Sequence, residues 1–287
     1  MGSTVLTNEP KGGVLYLVAT PIGNLGDLSQ RAISLLSNVD LIAAEDTRVT
    51  LKLLNRFEIK KPLISYHEHN CKMAGEKIIN ELKVMRSVAL VTDAGTPAIS
   101  DPGEDVVKKC AMEGIDVVAV PGACAAVCAL SLSALATARF CFEGFLPTDN
   151  SGRKKRLDAL KTEDRTMIFY EAPHRLRKTL DSLLQSFGED RKISLCRELT
   201  KLNEEVIRLS LKEAAELFSQ REPKGEFVLV VEGAALDELK DDYSSISLDE
   251  HLQIYLDQGL SKMDAVKAVA KDRKLPKSEI YSALMVK

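Results

Sequence analysis

Four short segments rich in Gly, Pro, Asp, Ser and Thr stand directly after apolar runs, and their residue types suit the cradling of a small ligand. They are Thr20-Pro-Ile-Gly23, Glu45-Asp-Thr-Arg48, Asp93-Ala-Gly-Thr-Pro-Ala-Ile-Ser-Asp-Pro-Gly103 and Pro121-Gly-Ala-Cys124. Small residues let a ligand approach the backbone, so that main-chain N–H and C=O groups do the recognising. Taken singly, each is ordinary turn chemistry, and Asp101-Pro102 reads equally well as an N-cap followed by a first-turn proline. The four together are harder to dismiss. Neither G-x-G-x-x-G nor G-x-x-x-x-G-K-S/T occurs, which argues against dinucleotide binding of the usual kind and against nucleoside triphosphate hydrolysis. An uncharged or zwitterionic ligand suits these loops better than a polyphosphate. Acid–base candidates on or near the loops are Glu45, Asp46, Asp93, Asp101, Glu171 and His174.

The apolar runs at residues 14–19, 39–44, 62–65, 88–92 and 117–120 are short and nearly continuous, as expected of strands buried on both faces. Helices of about 12 to 15 residues are expected between them, the first capped by Asp27 and turning Leu28, Ala32, Leu35 and Leu36 inward. This alternation predicts a doubly wound parallel sheet over residues 12–138, with ligands beyond the carboxyl ends of its strands. The apolar stretch 123–138 reads as a buried helix. The pattern then changes. Residues 142–147 lead into a basic helix, followed by a strand at 166–170, a helix from Pro173, strands at 193–196 and 205–209, a short helix at 211–218 and a strand at 226–231. Strands paired without crossover helices make 139–233 a mixed α+β domain. Residues 234–247 read as a linker, and 248–287 as three short amphipathic helices.

With 45% hydrophobic and 28% charged residues in 287, the chain can bury a core. No apolar run approaches the roughly 20 residues of a membrane span. The first 13 residues lack an apolar signal region, so residues 1–11 are expected to be a disordered tail on a cytoplasmic protein. The net charge of −3 gives no global attraction for nucleic acid, which leaves that role to local patches. Six scattered cysteines, with Cys124 and Cys128 four apart and no second pair at zinc-finger spacing, read as small core residues in a reducing compartment. His67, Glu68 and His69 present two imidazoles and not three ligands, so substrate contact or packing is preferred to metal.

Val18-Ala-Thr-Pro-Ile-Gly-Asn-Leu-Gly-Asp27, Ala44-Glu-Asp-Thr-Arg48, Tyr66-His-Glu-His-Asn70, Thr92-Asp-Ala-Gly-Thr-Pro-Ala-Ile-Ser-Asp-Pro-Gly103, Val120-Pro-Gly-Ala123 and Phe169-Tyr-Glu-Ala-Pro-His-Arg175 form an ordered set of motifs. The set resembles the rRNA-modifying branch of the tetrapyrrole methylase (class III) superfamily, whose members use S-adenosylmethionine. The resemblance runs through residues 13–233, and the C-terminal helices are similar too. It implies two α/β domains with the cofactor cleft between them, plus a small C-terminal helical module resembling a helix-turn-helix. It further implies 2′-O-methylation of a cytidine in the decoding region of 16S rRNA, as naked RNA or small subunit, by a cytoplasmic homodimer.

Carried over residue by residue, the resemblance implies that Pro21 closes over the cofactor and that Asp93, Gly95, Thr96, Ile99 and Ser100 form its loop. Pro121, Gly122, Ala123 and Cys124 match the next segment, and Leu146, Tyr170 and Gly225 face the ligand from the second domain. In the tetrapyrrole branch the third motif reads G-D-P; here it is Thr92-Asp93-Ala94, which keeps the acidic position. A ribose hydroxyl is a weak nucleophile and benefits from a base or a polar orienting group. Asp46 or Glu45 is expected to fill that role, with Arg48 holding a neighbouring phosphate; the alternative is a structural Glu45–Arg48 ion pair. His174 stands equally for a helix-cap residue. Arg153, Lys154, Lys155 and Arg156, with Arg175, form a candidate phosphate clamp, against the plain reading of a solvated helix face. The tail from Gly259 holds seven Lys/Arg against three Asp/Glu, which suits an auxiliary RNA-docking element or a packing appendage. Two other readings are a methylase of a small molecule, which has no use for these basic runs, and a ribosome-assembly factor that binds no cofactor.

Overall fold

The structure, a computed structural model, describes residues 9–235, 246–257, 259–273 and 275–285. The first half alternates β1 (Leu15–Val18), α1 (Gln30–Asn38), β2 (Leu41–Ala44), α2 (Thr47–Arg56), β3 (Leu63–Ser65), α3 (Cys71–Lys83), β4 (Val88–Val91), α4 (Gly103–Met112) and β5 (Val117–Val120). The strands pair in parallel in the order β3-β2-β4-β1-β5. Their continuous apolar sequences follow from helices on both faces. Tyr16, Val18, Ile42, Ala44, Ala89 and Val91 pack with Ala32, Leu35, Leu36 and Leu54 of α1 and α2. The alternate residues Leu15, Leu41, Ala43, Val88 and Leu90 pack with Ile78, Ile79, Leu82, Val106 and Cys110 of α3 and α4. The chain therefore leaves β1 toward one face and its neighbour β4 toward the other, which opens a crevice at their carboxyl ends.

Local geometry departs from expectation in three places. The helices α1 to α4 span 9 to 13 residues and are mostly shorter than expected. Ser29, and not Asp27, caps α1: its extended backbone lets the hydroxyl accept from the Ala32 N–H at 3.1 Å, while Asp27 ends a 3-10 turn (Leu25–Asp27). The stretch 123–138 is not one buried helix. It forms an eight-residue helix, α5 (Ala125–Leu132), with Ala126, Ala129 and Leu130 buried and Val127 and Leu132 exposed. Ala134 at φ 62° turns the chain out of the helix, and Leu135 N–H donates to the Ser133 hydroxyl.

The second sheet is built from β6 (Phe140–Phe145), α6 (Asn150–Leu160), β7 (Thr166–Glu171), α7 (Pro173–Phe187), β8 (Lys192–Arg197), β9 (Glu205–Ser210), α8 (Leu211–Gln220) and β10 (Phe227–Val231). Its order is β6-β7-β10-β8-β9, with β6 parallel to β7 and the remaining pairs antiparallel. Met167, Phe169, Leu195 and Leu229 bury one face under Leu157, Leu176, Leu180, Leu183 and Phe218 of the three helices. The other face, with Ile168, Cys196, Val228 and Val230, receives α5. Strand β6 was not anticipated, because Glu143 and Gly144 interrupt its apolar pattern. Gly144 sits at φ 63°, where the register against β7 shifts, as a bulge requires.

Both sheets belong to one compact unit, and residues 161–164 with the C-terminal helices form another. The latter contains α9 (Leu248–Asp257), α10 (Lys262–Asp272) and α11 (Lys277–Met285) around Leu252, Ala265, Val266, Val269 and Ile280. Most of the expected tail at 1–11 and of the linker at 234–247 lies outside the described residues. No helix of the described residues is long and apolar enough to cross a membrane. Leu229 is fully buried at the centre of the second sheet. Leu229→Ala is expected to lower the unfolding free energy by about 2–5 kcal/mol, read from denaturant titration.

Candidate functional site

The carboxyl edge of the parallel sheet is assembled by main-chain contacts between its loops. Thr20 N–H donates to the Gly95 carbonyl at 2.9 Å, and Gly95 N–H donates back to the Thr20 carbonyl at 3.0 Å. The Thr20 hydroxyl also donates to the Thr92 carbonyl at 3.0 Å. Gly95 has φ 85°, a conformation that a side chain would strain. Thr96 ties the next loop by donating its hydroxyl to the Ala123 carbonyl at 3.1 Å. Gly122 lies against Ala19 so closely that a Cβ there would stand 2.9 Å from the alanine methyl.

A cleft of about 400 Å³ runs between this edge and the second sheet. From the first side come Ile22, Ala94, Gly95, Thr96, Ile99, Cys124 and Ala125. From the second come Phe145, Tyr170, Glu171, Ala172, Pro173, Cys196, Leu199, Glu226, Phe227 and Val228. No Lys or Arg lines it. Its two acidic residues are compensated: Glu171 pairs with Arg175 at 3.3 Å and Glu226 with Lys201 at 2.8 Å. The Tyr170 ring meets Phe142 and Phe145 edge-on, with centroids 5.0 and 5.7 Å apart, and burial pushes its hydroxyl pKa up to about 12. The cleft thus offers aromatic and aliphatic surface, open main chain and no uncompensated charge, which suits a zwitterionic or singly charged ligand and not a polyphosphate.

Of the residues that the resemblance assigns to a cofactor, Gly95, Thr96, Ile99, Cys124 and Tyr170 line this cleft. Ala123 supplies the carbonyl that holds Thr96, and Ser100 lies against Gly144. Gly225, at φ 83°, precedes Glu226; a Cβ on it would come within 2.5 Å of the Glu198 side chain. Pro121 and Gly122 shape the loop after β5. Pro21 and Asp93 line a second pocket of about 280 Å³, with Thr20, Thr92 and residues of α2. Segments 20–23 and 92–95 are common walls of the two. Leu146 does not reach the cleft: just past β6 its side chain points to the helical layer, 2% exposed, and only its carbonyl is used, by Arg175. Ile22 lies in the first of the four ligand loops, but Phe145, Cys196, Leu199 and Val228 carry no signal in the sequence, because an apolar residue lining a cleft has the same local pattern as one in the core.

The acidic residues after β2 and β4 form a connected set. Glu45 Oε2 accepts from the Thr92 hydroxyl at 2.6 Å, and Asp46 N–H donates to Asp93 Oδ1 at 3.0 Å. Asp46 caps α2, accepting from Arg48 N–H at 2.8 Å, and also takes Arg48 Nε at 3.0 Å and Nη2 at 2.6 Å. These bonds to Arg48 hold its carboxyl at about 2. A carboxylate so engaged is a poor base, and the ion pair that stood as the alternative for Glu45 and Arg48 is made by Asp46 instead. Asp93 is opposite in character: burial chiefly, with the charges of Glu45 and Asp46 adding to it, raises its pKa above the ordinary carboxylate value.

The expected phosphate clamp is split. The helical period turns Arg153 inward, 4% exposed, where its guanidinium donates to the carbonyls of Pro147 and Thr148. Arg175 is spent on Leu146 and Glu171, and Arg156 pairs with Glu143. Lys154 and Lys155 remain exposed. His67 and His69 stand with ring centroids 6.0 Å apart, and His174 lies in the first turn of α7.

Residues 14–215 match the family model of the tetrapyrrole (corrin/porphyrin) methylases. The chain belongs to the tetrapyrrole methylase family. It is 47% identical to the ribosomal RNA small subunit methyltransferase I of Synechocystis sp., with 94% of this chain and 96% of that one covered. It is likewise 47% identical to the Bacillus subtilis protein of the same name, covering 96% and 95%. Uroporphyrin-III C-methyl transferase from Thermus thermophilus, solved as a complex with S-adenyl homocysteine, shares the fold. The TM-score is 0.55 at 18% identity, over 76% of this chain and 96% of that one.

Asp46→Ala removes the α2 cap and the Arg48 partner. Because the folded pKa of Asp46 is depressed, its stabilisation is present above the ordinary carboxylate pKa and is lost as pH falls through about 2. The melting temperature of the variant should lie below wild type at pH 7, and the gap should close between about pH 4 and pH 2.

Proposed function

We propose that this tetrapyrrole methylase is an S-adenosylmethionine-dependent RNA methyltransferase that modifies the 2′-hydroxyl of a cytidine in the decoding region of 16S rRNA. The names of its near relatives, of which it spans nearly the whole length, support small-subunit rRNA as the substrate. The cytidine and its ribose rest on the motif resemblance. One structural observation carries the reading. The charge-compensated cleft and a pocket holding a carboxylate of raised pKa share the walls 20–23 and 92–95. In this reading, residues 12–138 and 139–233 act as two domains, and the protein works in the cytoplasm as a homodimer on 16S rRNA or the assembled small subunit.

The cleft residues fit the cofactor. Ala94 and Thr96 offer main chain beside Gly95, which has no side chain to obstruct it, Ile99 and Cys124 offer apolar surface, and Tyr170 and Phe145 ring edges or faces for an adenine. When bound, S-adenosylmethionine supplies a methyl group on a sulfonium, and that sulfur leaves as a neutral thioether once an oxygen takes the methyl. The chain's task is alignment of the acceptor, the largest contribution to an in-line displacement, and removal of the hydroxyl proton. Asp93 is assigned to the proton: its side chain reaches solvent, partial burial of its carboxyl raises the pKa, and it adjoins Ala94 and Gly95 of the cleft. Glu45 acts as a positioning residue, holding the Thr92 hydroxyl before Asp93.

Labelled methyl from S-adenosylmethionine should be transferred to a ribose of one decoding-region cytidine in unmodified small subunits or naked 16S rRNA. Label on a base, or none in either RNA, would overturn the reading. Asp93→Asn should lower kcat by about 10²–10⁴-fold, the usual contribution of a general base, while cofactor affinity by calorimetry stays near wild type. Because this base works deprotonated, wild-type kcat should fall as pH drops toward the raised Asp93 pKa, and that acid limb should vanish in Asp93→Asn.

A further inference from the structure

The pocket beyond the cleft is bordered by helix α2, whose sequence Thr47-Arg-Val-Thr-Leu-Lys-Leu-Leu-Asn-Arg56 carries three cations and no acid. Arg48, Lys52 and Arg56 are spaced by four residues, so they form one ridge along the helix. Like charges at that spacing repel and disfavour the helix, and α2 holds no carboxylate to offset them. Lys52 and Arg56 make no ion pair or hydrogen bond among the described residues, and both are exposed. Arg48 keeps donors beyond the two that Asp46 takes. Beyond the Arg48–Asp46 pair, Lys52 and Arg56 therefore continue the ridge as unneutralised positive charge in a chain that is negative overall.

The pocket beneath has the complementary character. Leu25 and Val49 leave apolar surface exposed at it, Lys52 and Arg56 stand on its α2 side, and Asp93 contributes its only carboxylate. A ridge of cations beside an apolar recess suits a single-stranded polynucleotide: phosphates track the cations, and one unstacked base enters the recess, its face on aliphatic side chains or a guanidinium plane. A free small-molecule acceptor has no need of the whole ridge.

We infer that α2 and its pocket form the acceptor-RNA site, with Lys52 and Arg56 holding backbone phosphates of single-stranded RNA and the pocket between Val49, Leu25 and Asp93 receiving the nucleoside to be methylated. This rests on the proposed function and locates its acceptor. Asp93 lines the pocket and the next residue, Ala94, lines the cofactor cleft, so the acceptor approaches the cofactor across that peptide. The pocket has no lining residue from the basic run on α6, and neither Lys52 nor Arg56 is recognisable in the sequence as more than a solvated helix face.

The test uses the full chain, unmodified small subunits and a salt series. In the double variant Lys52→Ala/Arg56→Ala, Kd for the subunit should rise at least about tenfold, and the slope of log K against log salt should fall by about 0.7 for each cation removed. Cofactor affinity should not change, which shows that the variant is folded. Val49→Trp fills the recess and leaves the cations; it should abolish methyl transfer while keeping the wild-type salt slope. An unchanged Kd and slope in the double variant, or full transfer by Val49→Trp, overturns the inference while leaving the methyltransferase reading intact. If the wild type binds subunits and transfers nothing, the function falls, and the slope still judges the ridge.

Discussion

Two main-chain hydrogen bonds between Thr20 and Gly95 join the loops of the neighbouring parallel strands β1 and β4, which leave for opposite faces of the sheet. A switch point of this kind opens a crevice, and the Thr20–Gly95 pair turns its mouth into a wall with a usable surface on each side. The constraint is exacting. Gly95 must be glycine at φ 85°, and Thr20, 2% exposed, spends its hydroxyl on the Thr92 carbonyl. With these groups committed, the loops have little freedom, and their remaining main chain and small side chains face outward as recognition surface.

The second sheet completes the cleft because its inward face is apolar and its charges are paired. Glu171 is 2% exposed, and its carboxylate is satisfied by Ala172 N–H, the Thr179 hydroxyl and Arg175. Burying that carboxylate without such partners would be costly. The loop after β9's partner strand closes one end: Thr200 accepts from Asn24 N–H at 3.0 Å, and a Cβ at Gly23 would strike Lys201. Glu198 and Thr200 hold positive φ there, so the backbone that meets the first loop is itself strained into place.

Most of the fold was legible because the parallel strands are buried on both faces, and the strand–helix alternation of residues 14–120 needs no tertiary knowledge. Likewise the turn residues flanking Val18, Ala44, Val91 and Val120 marked the edge where a ligand would bind. What was not legible depended on distant contacts. Gly144 hid a strand, since its bulge breaks the alternation that identifies one. Leu146 and Phe145 are adjacent apolar residues, and only the sheet decides which of them enters the core. Asp46 and Asp93 look alike in sequence; a helix N-terminus and Arg48 engage one, while burial raises the other. The basic run at 153–156 is divided by the helical period between the interior and solvent, whereas the four-residue spacing of Arg48, Lys52 and Arg56 keeps three cations on one side of α2, with Lys52 and Arg56 at a pocket.

The central claim is that one cofactor molecule bridges the loop edge of the first sheet and the apolar face of the second. Amide hydrogen exchange with and without saturating S-adenosylhomocysteine tests it directly. Protection rising together in residues 94–99, 123–125 and 226–228 is the predicted result. Protection confined to one sheet, or centred on α2 and residues 49–56, would contradict it.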